Sequence, residues 1–192
     1  MKWIYRHPRL YDFLDWFISL SMSGRARRKA IGGLVTDSFL EIGAGSGKSL
    51  CLVDSNLMIG LDTSIRMLRY ARRRFPNAVV VIGDAHRLPF GDSCIDVSVF
   101  SYCLRSLARP AEAVREALRV SSRVVIIDYD RPTFLPTILW ERIANRLGCA
   151  VFGSRDLDFE ELGHLAQRRQ VRNLYGDLYK VMVLEGVNNA GS

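Results

Sequence analysis

The stretch with the most chemical promise is LEIGAGSGKSL, residues 40–50. A glycine-rich turn between an apolar run and a helix exposes backbone amides, which can cradle a phosphate or let a ligand approach the main chain. Its ending, Gly47-Lys48-Ser49, is that of a nucleoside-triphosphate loop. That loop needs G-x-x-x-x-G-K-[ST], yet the first position is Ile42, and Gly43 comes one residue late. The spacing sets the diameter of the amide ring, so one residue matters. A dinucleotide fingerprint needs G-x-G-x-x-G; Gly43 and Gly45 fit, but Lys48 stands at the third position.

A third ligand, S-adenosylmethionine, asks for a tight glycine turn and an acid at the end of the following strand. Asp62 ends LMIGLD and can accept both hydroxyls of a ribose, for which a carboxylate is the natural two-oxygen partner. Asp84 ends the strand after that and can meet an adenine amino group. Singly, Asp62 reads equally well as a helix cap and Asp84 as a turn former. At successive strand ends behind one glycine loop, they favour an adenosine site.

These residues need a frame. Tyr11, Leu14, Phe17, Ile18 and Leu20 predict an amphipathic helix, and Ala26, Ala30 and Ile31 a second, closed by Gly32-Gly33. Strands are predicted at 35–42, 57–62, 78–84, 94–101 and 123–130. A short helix follows the glycine loop, and others are expected at 64–75, 110–120 and within 135–167. Strands at 171–176 and 178–187 close the chain around a Gly-Asp turn. Strands alternating with helices pair in parallel, and nearly continuous apolar runs are covered on both faces. Two strands joined by a tight turn are antiparallel. The expected fold class is α/β, with a mostly parallel seven-stranded sheet and one antiparallel strand near its C-terminal edge. Its ligand site lies at the carboxyl ends of the strands.

The net charge of +7 comes mainly from arginine in RARRK (25–29), RMLRYARRRF (66–75) and QRRQVR (167–172). The expectation is a solvated basic face; contact with nucleic acid or an anionic lipid surface stays open. Cys51, Cys94, Cys103 and Cys149 show no C-x-x-C pairing and predict neither a disulfide framework nor a metal site. No apolar run is long enough to span a membrane, and MKWIYRHPRLYDFLDWF is broken by His7, Pro8, Arg9 and Asp12 rather than built like a secretory segment. A cytoplasmic chain is expected. Lys48 is expected to point to solvent, and NNAGS to form a loose tail.

LEIGAGSG, GLDTSIRML, GDAHRLPF and DVSVFSY resemble, in order, four motifs of class I S-adenosylmethionine-dependent methyltransferases of type 11. The resemblance covers roughly residues 36–130 and implies a Rossmann-like three-layer sandwich. It also implies one methyltransferase domain over 1–192, with 1–33 as a helical cap and 34–187 as the core. YDFLDWFISLSMSGRARRKAI, FSYCLRSLARPAEAVREALRV, VVIIDYDRP and VRNLYGDLYKVMVLEG look more narrowly similar to the ubiquinone/menaquinone-biosynthesis C-methyltransferases. That similarity places cofactor contacts on Gly43, Gly45, Ser46, Asp62, Asp84, Ala85 and Ser101, with Glu41, Ala44 and Thr63 from the same motifs. Tyr11 would close over the cofactor, and Arg105 would stand at the active-site edge. The chain departs from that family after DYDRP, where it is cut down, and before the fifth strand, where Ser121-Ser122 replaces Pro-Gly-Gly.

Methyl transfer from a sulfonium needs chiefly a positioned acceptor, and a base only if the acceptor loses a proton. His86, His164 and Asp128 are the candidate bases, and Arg105 can stabilise a phenolate-like or carboxylate acceptor. A small, quinone- or isoprenoid-like acceptor is expected. RNA methylation, or a cofactor-binding scaffold without turnover, are the competing readings. The place of the DNA amino-methyltransferase signature reads Phe100-Ser101-Tyr102-Cys103, which argues against that chemistry. The oligomeric state is left open.

Overall fold

A computed structural model describes residues 7–10, 12–13, 22–129, 157–175 and 178–186. Residues 8–10, 12 and 13 are helical. The chain then runs α1 (Met22–Ile31), β1 (Val35–Ile42), β2 (Asp54–Asp62), α2 (Ile65–Arg74), β3 (Val79–Ile82) and β4 (Ile95–Ser101). A 3-10 turn (Leu104–Ser106), α3 (Pro110–Val120), β5 (Ser121–Tyr129), α4 (Phe159–Gly163), β6 (Arg168–Leu174) and β7 (Tyr179–Glu185) follow.

The seven strands form one sheet in the order β3-β2-β1-β4-β5-β7-β6. β1 to β5 are mutually parallel, and β7 runs antiparallel to both β5 and β6. The reversed strand thus lies second from the edge, as the turn argument required. Alternation along the strands builds a core on each face. Leu40, Ile42, Phe100 and Ile126 face one cluster, joined by Ala113, Val114, Ala117 and Val120 of α3. Phe39, Val97, Val99 and Ile127 face the other, with Ile31 of α1, Leu50 and Ala78. α3 begins on Pro110, whose missing amide costs nothing at a helix start. α2 buries Met67, Leu68 and Ala71 and leaves its arginines outward.

Three expectations need correction. Residues 45–50 form consecutive turns instead of a short helix. Gly43, Gly45 and Gly47 all adopt positive φ, which a helix cannot continue through. β2 starts at Asp54, because Asp54 and Ser55 pair in register with Val35 and Thr36. β6 starts at Arg168, paired with Glu185 of β7. Most of the helical stretch expected within 135–167, and the Gly176-Asp177 turn, lie outside the described residues.

Candidate active site

The parallel strands bring their carboxyl ends to one side of the molecule, in the spatial order β3, β2, β1, β4, β5. Asp84, Asp62, the glycine loop, Ser101 and Asp128 therefore stand in a row, though the chain visits them in a different order. The loop's path is set by backbone contacts. The Ala44 amide donates to Leu61 O at 2.9 Å, and Gly47 N donates to Ala44 O at 2.8 Å. A Cβ at Gly43 would lie 2.8 Å from Cys103 Cβ and 2.9 Å from its Sγ, so the residue must be glycine for space as well as for its φ of +70°.

Asp62 ties three elements together. Its Oδ2 accepts the Gly45 amide and its Oδ1 the Ser64 amide, each at 2.8 Å. Ser64, not Asp62, caps α2, with Oγ accepting the Met67 amide. Thr63 between them is exposed. Each Asp62 oxygen carries one amide and keeps a second lone pair for a hydroxyl.

Glu41 is 2% exposed on β1. Its Oε1 accepts the Ser49 amide at 3.3 Å, and its Oε2 has no hydrogen-bond partner among the described residues. Burial pushes its carboxyl up to about 7, with Ser49 and the Arg27 charge pulling partly back. Asp128, on β5, repeats the pattern: Oδ1 accepts the Tyr129 amide, Oδ2 is buried without a partner among the described residues, and burial raises the group to about 7.

Asp84 is exposed and accepts the His86 amide at 2.9 Å, while its Oδ1 lies 2.6 Å from His86 Nδ1. The amide and the ring hold the Asp84 carboxyl below its usual range. Ala85 turns its methyl into the core. The loop after Asp84 is pinned to α3: Glu116 accepts the Leu88 amide, and Arg119 donates to the carbonyls of Leu88 and Phe90.

Three features emerge that sequence reasoning did not assign. Asp12 closes over the glycine loop, accepting from Ser46 Oγ at 2.7 Å, Lys48 Nζ at 3.1 Å and Arg74 at 3.0 Å. Lys48, expected in solvent, is thus part of a clasp. Tyr11, which precedes Asp12 in the chain, lies outside the described residues. Arg27, read as one of a solvated run, is buried; its Nε donates to Ser101 Oγ at 2.8 Å and its guanidinium lies 5.0 Å from the Tyr102 ring centre. The periodicity could have found it, because Ser23, Ala26, Arg27 and Ile31 share the buried face of α1. Replacing Arg27 by Met keeps the bulk and removes both polar contacts; a loss of about 1–2 kcal/mol in a denaturation midpoint is expected. The third is a cluster of rings. Tyr102, Tyr129 and Tyr179 pack with centroids 5.0 to 5.9 Å apart, and Tyr175 adds an edge at 6.1 Å from Tyr179. Tyr102 holds φ of +58° directly after Ser101 and donates from its hydroxyl to Ser23 O.

Arg105 is buried in the 3-10 turn, not solvated at a helix start, and donates to Tyr129 O at 3.3 Å. The structure therefore gathers Glu41, Gly43, Ala44, Gly45, Ser46 and Asp62 into one cradle. Ser101 and Arg105 stand at the tyrosine side, and His86 pairs with Asp84. His164 closes α4 and is exposed. Among the described residues, no cluster of side chains could hold a metal ion.

Comparison with known proteins agrees with this geometry. Residues 40–124 match the methyltransferase domain family. A demethylmenaquinone methyltransferase of Renibacterium salmoninarum is 34% identical over 134 residues, covering 66% of this chain and 56% of that protein. Its counterpart in Paenarthrobacter aurescens is 32% identical over 130 residues, covering 64% and 51%. The chain thus spans about half the length of the curated relatives it matches. A SAM-dependent methyltransferase of Thermotoga maritima, described as a possible histamine N-methyltransferase, shares the fold. It superposes with a TM-score of 0.75 at 20% identity, over 96% of this chain and 99% of that one. One from Aquifex aeolicus gives 0.61 at 17%, over 94% and 98%. Motifs, sheet order and relatives agree: residues 40–124 carry the match to the methyltransferase domain family, on a Rossmann-like fold shared with SAM-dependent methyltransferases.

Proposed function

We propose that this chain transfers the methyl group of S-adenosylmethionine to a small, quinone- or isoprenoid-like acceptor. The observation that carries the cofactor half is the Asp62 carboxylate, which braces the glycine loop and still has a lone pair on each oxygen for a ribose diol. Glu41 supports it: a buried carboxyl with one unpartnered oxygen under the loop suits a cationic ligand. Gly43, Ala44, Gly45 and Ser46 would line the tail, Thr63 the ribose side, Asp84 and Ala85 the adenine side and Ser101 the far wall.

S-adenosylmethionine supplies an already activated methyl group, so the residues here mainly position the acceptor and exclude water. Support for a flat, ring-bearing acceptor comes from relatives named demethylmenaquinone methyltransferases. Arg105 stabilises a phenolate-like oxygen. His86, bound to Asp84 through its amide and its ring, steadies the loop on the adenine side, at the other end of the row from Arg105.

Calorimetric titration tests the reading, with S-adenosylmethionine, ATP and NAD added to wild type and Asp62→Ala. Binding of the sulfonium alone, weakened in the variant by about 1–3 kcal/mol, is expected for a lost charged hydrogen bond. Binding of ATP instead would sink it.

A further inference from the structure

The arginines of α2 do not end as a plain solvated face. Together with the N-terminal segment they wall a groove of about 690 Å³, lined by His7, Pro8, Arg9 and Leu10 on one side and Arg66, Arg69, Tyr70, Arg73 and Arg74 on the other. No carboxylate among the described residues lines it. Among the described residues, no ion pair reaches Arg9, Arg66, Arg69 or Arg73, whereas Arg74 is engaged with Asp12. Large apolar side chains are exposed in and beside this basic wall: Leu10 at 39%, Ile65 at 45% and Phe13 at 57%. Ile65, Arg69 and Arg73 follow one another at four-residue spacing along a single exposed strip of α2.

We propose that this face docks on an anionic lipid surface, with Arg9, Arg66, Arg69 and Arg73 at the headgroup phosphates and Leu10, Ile65 and Phe13 dipping into the interface. Both halves of the pattern are needed to choose the occupant. Four unpaired arginines attract any polyanion, and the charge alone does not discriminate. Exposed aliphatic side chains beside them have no use against a nucleic acid backbone but gain free energy in the acyl boundary. A single-stranded nucleic acid would look for free aromatic faces on which to stack. Among the described residues of this face, Tyr70 has the Arg74 guanidinium 5.6 Å from its centre, and the ring of Phe13 by itself does not make the run of platforms on which successive bases stack. The inference does not depend on the proposed acceptor; if that reading also holds, the same face brings the protein to the phase in which an isoprenoid dissolves.

The test is co-sedimentation of the full chain with phosphatidylglycerol–phosphatidylcholine vesicles and with phosphatidylcholine vesicles alone. Binding to the anionic vesicles only, falling as salt rises, is expected. Each basic residue near such a surface contributes about fivefold to partitioning, so Arg66→Gln/Arg69→Gln/Arg73→Gln together should lose about 100-fold. Arg74 is left intact because it holds Asp12, and an unchanged thermal midpoint shows the triple variant is folded. Leu10→Ser/Ile65→Ser should weaken binding by a factor that persists at high salt. Equal binding to both vesicle types, or an undiminished triple variant, overturns the proposal. So does a single-stranded RNA that displaces the protein from vesicles at equal phosphate concentration, which would make the face a nucleic-acid surface. Cofactor titration reads none of these outcomes, so the two proposals fail separately.

Discussion

Gly43→Ala is expected to destabilise the protein by about 2–5 kcal/mol, while Gly45→Ala, two residues on in the same loop, costs only about 1–2 kcal/mol. Both residues hold positive φ, +70° and +52°, so both variants bear the left-handed penalty of a side chain. They differ in space. The new methyl at 43 meets Cys103 Cβ at 2.8 Å, a distance that trimming the thiol cannot relieve. At 45 the nearest atom is Met67 Cε at 3.5 Å, an ordinary contact with a flexible tip. Urea denaturation of the two variants reads the difference directly. Gly43→Ala with Cys103→Gly should recover the overpacking part and leave the backbone part. Equal losses in the two single variants would show that Cys103 yields freely and that the loop's approach to the β4 end is not tight.

The second large effect is a dependence on pH. The folded chain holds a proton on Glu41 up to about pH 7, whereas an unfolded glutamate releases it near 4.5. Between those values the unfolded state binds fewer protons, so stability must fall as pH rises. The contribution is complete below the unfolded value and gone above the folded one. It amounts to roughly 3 kcal/mol for a fully buried group. Asp128 adds a loss in the same direction over a similar window. Glu41→Gln keeps the shape and removes the titration. Denaturation at pH 5 and pH 8 should show the variant gaining on wild type by roughly 3 kcal/mol across that interval. Parallel profiles would mean that Glu41 is already ionised in the folded protein. A cationic cofactor favours the ionised form, so its presence should flatten the wild-type slope.

What the sequence made legible follows from which forces are local. β1 and α3 were readable to the residue. Apolar runs, a proline at the first helical position and a glycine after the strand are all short-range signals. Asp62 was readable because its strand end is fixed by the same kind of run; Asp84, expected to end a strand over 78–84, instead lies two residues past the end of β3 at Ile82. The polar starts of β2 and β6 were not readable, since Asp54 and Arg168 extend only because a partner strand lies in register beside them. Asp12 escaped for a related reason: its partner Ser46 is far along the chain, and nothing in LYDF announces it. The burial of Arg27 was open to the periodicity of α1, but its pairing with Ser101 was not. The loop helix failed because three glycines at positive φ outweigh the helical tendency of Lys48, Ser49 and Leu50.

The reversed strand also divides the molecule in time. β1 pairs with β2 across a short connection, but β7 must reach β5 from far down the chain, Tyr179 coming to lie against Tyr129. Loop-closure entropy rises with the length of chain enclosed, so the β1–β2 half can be built first and the β7–β6 edge joins last. The tyrosine cluster straddles that seam: Tyr102 and Tyr129 belong to the part made early, Tyr175 and Tyr179 to the part made late. A chain that has lost its last strands would therefore still build the glycine loop with Asp62 braced against it, while the tyrosine cluster comes apart.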